Sequence, residues 1–85
     1  MKTIIITGGT SGIGLNIANY FYKRDYNIAI AGIYNKSTSK QLNRIFESKK
    51  SLILNLDLIK KNNIIKFVKQ TRVKFKSIDI LVNCA

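Results

Sequence analysis

Two kinds of apolar pattern alternate along this chain of 85 residues. Thr3-Ile4-Ile5-Ile6, Ile28-Ala29-Ile30-Ala31, Ser51-Leu52-Ile53-Leu54-Asn55-Leu56 and Ile78-Asp79-Ile80-Leu81-Val82 are short runs rich in isoleucine and leucine. Their length and continuity predict buried strands, apolar on both faces as parallel strands are. Between them apolar residues recur at helical spacing. A first helix is expected from about Ser11, a plausible N-cap, to Arg24, with Ile13, Ile17, Ala18 and Phe21 inward. A second is expected from a cap at Thr38 or Ser39 to about Ser48, with Leu42, Ile45 and Phe46 inward. A third is expected from Lys60 to Lys74, with Ile64, Ile65, Val68 and Phe75 inward and its lysines solvated.

The order is therefore β-α-β-α-β-α-β, an α/β chain. Strands alternating with helices imply parallel pairing through right-handed crossovers. The doubly wound arrangement places them in the order 3-2-1-4 and binds ligands beyond the carboxyl ends of the strands, at the switch between strands one and four. Gly8 to Gly14, Gly32, Asp57 and Asn83 all follow strand ends, so they converge on one edge of the sheet.

The stretch Thr7-Gly8-Gly9-Thr10-Ser11-Gly12-Ile13-Gly14 carries the chemistry. A helix N-terminus at a strand-to-helix turn offers unpaired N–H groups and the positive end of the helix dipole. Glycines let that backbone approach an anion, and Gly12 and Gly14 are expected to bring the helix close to the strand. Gly9 and Gly14 have a P-loop's separation, but Leu15-Asn16 follows, not Lys-Ser/Thr. The GxGxxG spacing of long-chain dehydrogenases is broken as well. T-G-x-x-x-G-I-G resembles the nucleotide-binding signature of the short-chain dehydrogenase/reductase family.

Further positions carry the same resemblance. Asp57, in Asn-Leu-Asp-Leu, matches the acid that bonds the adenine amino group in that family. Leu81-Val82-Asn83-Cys84-Ala85 resembles its L-V-N-N-A-G, with Cys84 in place of the second asparagine. Asn83 would steady the sheet beside the cofactor, and Cys84 would be a small buried thiol. The resemblance implies a Rossmann-like sheet, with residues 1–85 forming the N-terminal portion of a single NAD(P)-binding domain. It implies cofactor contacts from Gly8, Thr10, Ser11, Gly12, Ile13 and Gly14 in the first turn. Gly32, Asp57, Leu58, Asn83 and Ala85 would add contacts from the later strand ends.

Length and charge change the picture little. A chain this short buries only about 60–65% of its unfolded surface, and an apolar run leads into its last residue. We expect a piece of a longer protein, whose fourth strand is an exposed edge open to self-association. The parent is expected to be a homo-oligomer. Net charge is +11, from 15 Lys+Arg against 4 Asp+Glu. The lysines are spread along the whole chain, which argues against a nucleic-acid partner, although a positive field would attract an anionic dinucleotide. With one cysteine and no histidine, neither an intrachain disulfide nor a metal site is expected. No stretch approaches the roughly 20 apolar residues that span a bilayer. The expected compartment is the cytoplasm.

The family's catalytic serine and Tyr-x-x-x-Lys pair have no counterpart here. Tyr20, Tyr22, Tyr26 and Tyr34 are followed four residues on by Arg24, Tyr26, Ile30 and Thr38. No catalytic residue is therefore assigned. The resemblance implies a parent oxidoreductase acting on an alcohol/carbonyl pair, in the style of 3-oxoacyl-carrier-protein reductases or 3-hydroxybutyrate dehydrogenases. A dinucleotide-sensing module without catalysis, and a functionless product of a split or decayed gene, are the alternatives. The cofactor is NAD or NADP. Charge favours NADP, because Gly32 stands where an acid would select NAD and Lys36 is near. Ala31-Gly32-Ile33, however, resembles the Asn-Gly-Phe of 3-hydroxybutyrate dehydrogenases, which use NAD without an acid. The balance tips to NAD.

Overall fold

The computed structural model describes residues 1–84. Four strands, β1 (Thr3–Thr7), β2 (Asn27–Gly32), β3 (Ser51–Asn55) and β4 (Ile80–Asn83), alternate with three helices. These are α1 (Gly12–Tyr22), α2 (Lys36–Ile45) and α3 (Lys61–Phe75), and a 3-10 turn at Ser48–Lys50 precedes β3. All pairings are parallel, in the order β3-β2-β1-β4. The order expected from the alternation of elements is the one observed.

Alternation along the strands divides the core in two. Ile4, Ile6, Ile28 and Ile30 point to one face, where Ala18 of α1 and Leu42 and Phe46 of the second helical segment cover them. Ile5, Ala29 and Ala31 point to the other, beneath Phe67 of α3. The two alanines leave room for that ring. Each fully buried isoleucine contributes about 1.5–3 kcal/mol, so these two layers supply most of the apolar stabilisation.

Several expected helix details are corrected. Asn35, not Thr38 or Ser39, caps α2. Its side chain accepts a hydrogen bond from the Thr38 N–H at 2.9 Å, and asparagine is among the best N-caps. Leu42 and Phe46 are buried, one helical turn apart, while Ile45 at the helix end is 37% exposed. Ile13 is 75% exposed, because the first turn of α1 begins past the end of the sheet.

The largest correction concerns α3. Phe67 and Thr71 are its buried residues, and the Thr71 hydroxyl donates to the Phe67 carbonyl at 2.8 Å. Ile64, Ile65 and Val68 remain exposed. The helix packs over β2 and β3, so the part of this sheet face nearest β4 lies open. There Ile64, Val68 and Leu81 line a groove floored by Ile5 and Phe67.

Candidate functional site

At the carboxyl end of β1 the chain turns sharply. Gly8 adopts φ 72° and Gly12 φ 55°, both in the left-handed region that favours glycine. The Gly8 N–H donates to the Ala31 carbonyl at 2.9 Å, anchoring the turn to β2. Gly14 is required by close approach: a Cβ there would lie 2.3 Å from the Gly8 carbonyl oxygen. Gly12 has a different role from the one expected. A Cβ at Gly12 would meet nothing within 4 Å, so it serves the left-handed turn and not the approach of helix to strand.

Sequence reasoning passed over Gly9. It is buried against β2, and a Cβ there would fall 2.6 Å from Cγ2 of Ile30. Its position directly beside Gly8 was the available signal. Thr10 is buried too, and its hydroxyl would obstruct a side chain at Gly32, 2.8 Å from the Cβ position.

The N-terminus of α1 has no side-chain cap. Ser11 occupies the N-cap position but makes no capping hydrogen bond, and the first turn of α1 contains no acid. The N–H groups ahead of the first intrahelical bonds are thus left to an outside acceptor. In α2, by contrast, Asn35 occupies that place itself. The N-terminus of α3 lacks a side-chain cap as well, so the missing cap alone does not single out α1; the cleft in front of it does.

This turn opens onto a cleft of about 800 Å³. Of the residues singled out from the sequence, Gly8, Thr10, Ser11, Gly12, Ile13, Gly14, Gly32 and Leu58 line it. Ile33, Leu56, Ile59 and Cys84 also line it and were not foreseen. Cys84 is exposed, which corrects the expectation of a buried thiol. Its N–H donates to the Thr7 carbonyl at 2.9 Å, holding it at the cleft's end.

Asp57 and Asn83 sit beside the cleft. One Asp57 oxygen accepts from the Ile59 N–H at 3.1 Å, closing a turn after β3. Asn83 accepts from the Thr7 hydroxyl at 2.5 Å, a side-chain link between β1 and β4. Ala85 lies outside the described residues. Partial burial pushes the Tyr34 hydroxyl above the usual tyrosine range, which leaves it neutral near pH 7 and unsuited to act as a base. No cluster of metal-binding side chains occurs among the described residues, and no described helix is long and apolar enough to cross a membrane.

With this geometry in place, comparison with known proteins is direct. The family model for short chain dehydrogenases matches residues 2–85. An uncharacterised oxidoreductase of Staphylococcus saprophyticus is 30% identical over 99% of this chain and 37% of its own length. A 3-oxoacyl-[acyl-carrier-protein] reductase of Chlamydia muridarum is 34% identical over 99% of this chain and 35% of its own. Among solved structures, ElxO with NADPH bound is 31% identical, with TM-score 0.82 over 99% of this chain and 34% of that one. A 3-ketoacyl-(acyl-carrier-protein) reductase of Brucella melitensis complexed with NADH is 27% identical, with TM-score 0.79 over 94% of this chain and 32% of that one. The chain thus spans about a third of the length of the curated relatives it matches. With strand order, glycine turn and these matches in agreement, the chain belongs to the short chain dehydrogenase family.

Proposed function

We propose that the cleft holds the adenosine and pyrophosphate part of NAD or NADP, and that the parent protein is an NAD(P)-dependent oxidoreductase acting on an alcohol/carbonyl pair. One observation carries the reading: the uncapped N-terminus of α1 opens onto a cleft walled by Gly8, Gly12 and Gly14. The fit is sound. Main-chain N–H groups and a helix dipole suit a pyrophosphate, no side chain fills the space outside Gly12, and Ile13, Ile33, Leu56 and Leu58 provide apolar walls for an adenosine. The nicotinamide of such a cofactor exchanges hydride with the substrate carbon. These 85 residues would bind and orient one end of it. The chain's cations would raise the local concentration of an anionic ligand. A 3-oxoacyl or 3-hydroxyacyl substrate is the preferred class, on the likeness to the Chlamydia muridarum protein. The cytoplasm is the proposed compartment, and a homo-oligomer the proposed parent assembly.

A second reading, binding without turnover, is favoured for the 85 residues by themselves, because no tyrosine is followed by lysine four positions on. Purified chain given NADH or NADPH and a panel of carbonyl compounds is expected to show no oxidation above the enzyme-free rate. Turnover above that rate would overturn this second reading.

For the dinucleotide we propose NAD. Residues 32–36 contain no acid, but the loop offers no guanidinium fork to grip a 2′-phosphate. Paired titrations of the chain with NADH and NADPH at low and high salt are expected to favour NADH at both. Tighter NADPH binding that weakens steeply with salt would implicate Lys36 and reverse the preference. Binding of neither at millimolar concentration would place the ligand elsewhere.

A further inference from the structure

Main-chain pairing between β2 and β3 ends where Gly32 faces Asn55, with a last bond from the Leu56 N–H to the Gly32 carbonyl at 3.1 Å. Beyond it the two strands separate, yet the next residues of β2 do not swing free. The Asn55 side chain takes over the ladder. Its Oδ1 accepts from the Tyr34 N–H at 3.2 Å, and its Nδ2 donates to the Tyr34 carbonyl at 3.0 Å. One amide thereby satisfies both main-chain groups of Tyr34, as a paired strand would.

The segment so held lies at the cleft. Ile33, 72% exposed, lines both the main cleft and a smaller cavity of about 400 Å³, which Thr10, Ser11, Tyr34, Asn35 and Thr38 complete. Ile33, with Thr10 and Ser11, is thus shared by both cavities, and residues 33–35 run as a wall from that shared point along the smaller one. One end of the wall is pinned by Asn55, the other by the Asn35 cap on Thr38. Asn55 itself lines neither cavity.

We propose that Asn55 is a positioning residue for recognition of the adenosine ribose, acting through the main chain of Tyr34. This rests on the reading of the cleft as a dinucleotide site. A free 2′-hydroxyl is recognised by hydrogen bonds that need partners fixed near 3 Å. A 2′-phosphate is held largely by charge, which falls off slowly with distance and tolerates a mobile lysine such as Lys36. Releasing the wall should penalise the hydroxyl and spare the phosphate.

Calorimetric titration of the chain and of Asn55→Ala with ADP-ribose and with 2′-phospho-ADP-ribose tests this. Asn55→Ala should weaken ADP-ribose about fivefold and change the phosphorylated ligand less than about twofold, so the ratio of affinities shifts. Asn35→Ala, which frees the other end of the wall, should shift the ratio in the same direction. An unchanged ratio in Asn55→Ala overturns the proposal, whether both affinities fall together through general loss of structure or neither falls. If the unsubstituted chain binds neither ligand, the dinucleotide reading fails and takes this inference with it. An unchanged ratio in a chain that does bind sinks only the role of Asn55.

Discussion

Gly14→Ala is expected to destabilise the chain by about 3 kcal/mol and to abolish dinucleotide binding. The added methyl would stand 2.3 Å from the Gly8 carbonyl oxygen and 2.9 Å from its carbon. Both obstacles are backbone, so no rotamer change relieves them. Relief requires α1 to lift away from β1, which also carries the helix N-terminus out of the cleft. Gly12→Ala is the control. Nothing lies within 4 Å of its Cβ, and the φ of 55° is its main cost, about 1–2 kcal/mol. Urea denaturation followed by circular dichroism separates the two, while ADP-ribose titration is read for Gly14→Ala alone, since a methyl at Gly12 would enter the space proposed for the pyrophosphate. Gly14→Ala as stable as the unsubstituted chain would mean that the turn is far more yielding than its contacts imply.

The chain should also self-associate through β4, and Leu81→Lys should weaken that association at least tenfold, about 1.4 kcal/mol. In the order β3-β2-β1-β4 the outer side of β4 is an edge among the described strands. Leu81 is 67% exposed there, next to the uncovered Ile64 and Val68 of α3. An open edge beside an apolar groove is a template for pairing, and a lysine on the edge blocks it. The helix beside that groove carries an opposing term. The sequence of α3 contains Lys61, Lys66, Lys69, Arg72 and Lys74 and no acid, so two copies repel, and salt should strengthen their association by screening. Sedimentation velocity at low and high salt checks both signs. A monomer at every concentration and salt would show the edge to be harmless.

These two expectations draw on different layers of information. The alternation of elements, their parallel order and the glycine turn were all legible in the sequence, because each rests on local causes. Strand runs are recognisable from continuous apolar character, helices from their spacing, and the turn from glycines between a strand and a helix. Chain connectivity then leaves few ways to stack the elements. The candidate site was legible for the same reason, since every strand end falls on one edge of a parallel sheet.

What periodicity could not supply was the partner each apolar face would meet. Ile13, Ile64, Ile65 and Val68 have the spacing of core residues, yet all stand exposed, because spacing does not say where on the sheet each helix comes to rest. The division of labour between Gly12 and Gly14 is likewise tertiary. One is set by a backbone angle and the other by the nearness of the Gly8 carbonyl, a contact made only when α1 folds back on β1. The Asn55 clamp on Tyr34 spans 21 positions of sequence, and no local pattern announces it. Sequence by itself determined which elements form and in what order they pair. Only the packed structure decided which side chains the sheet covers and which it leaves facing the cleft or the open edge, because burial depends on the area and distance of the opposing surface.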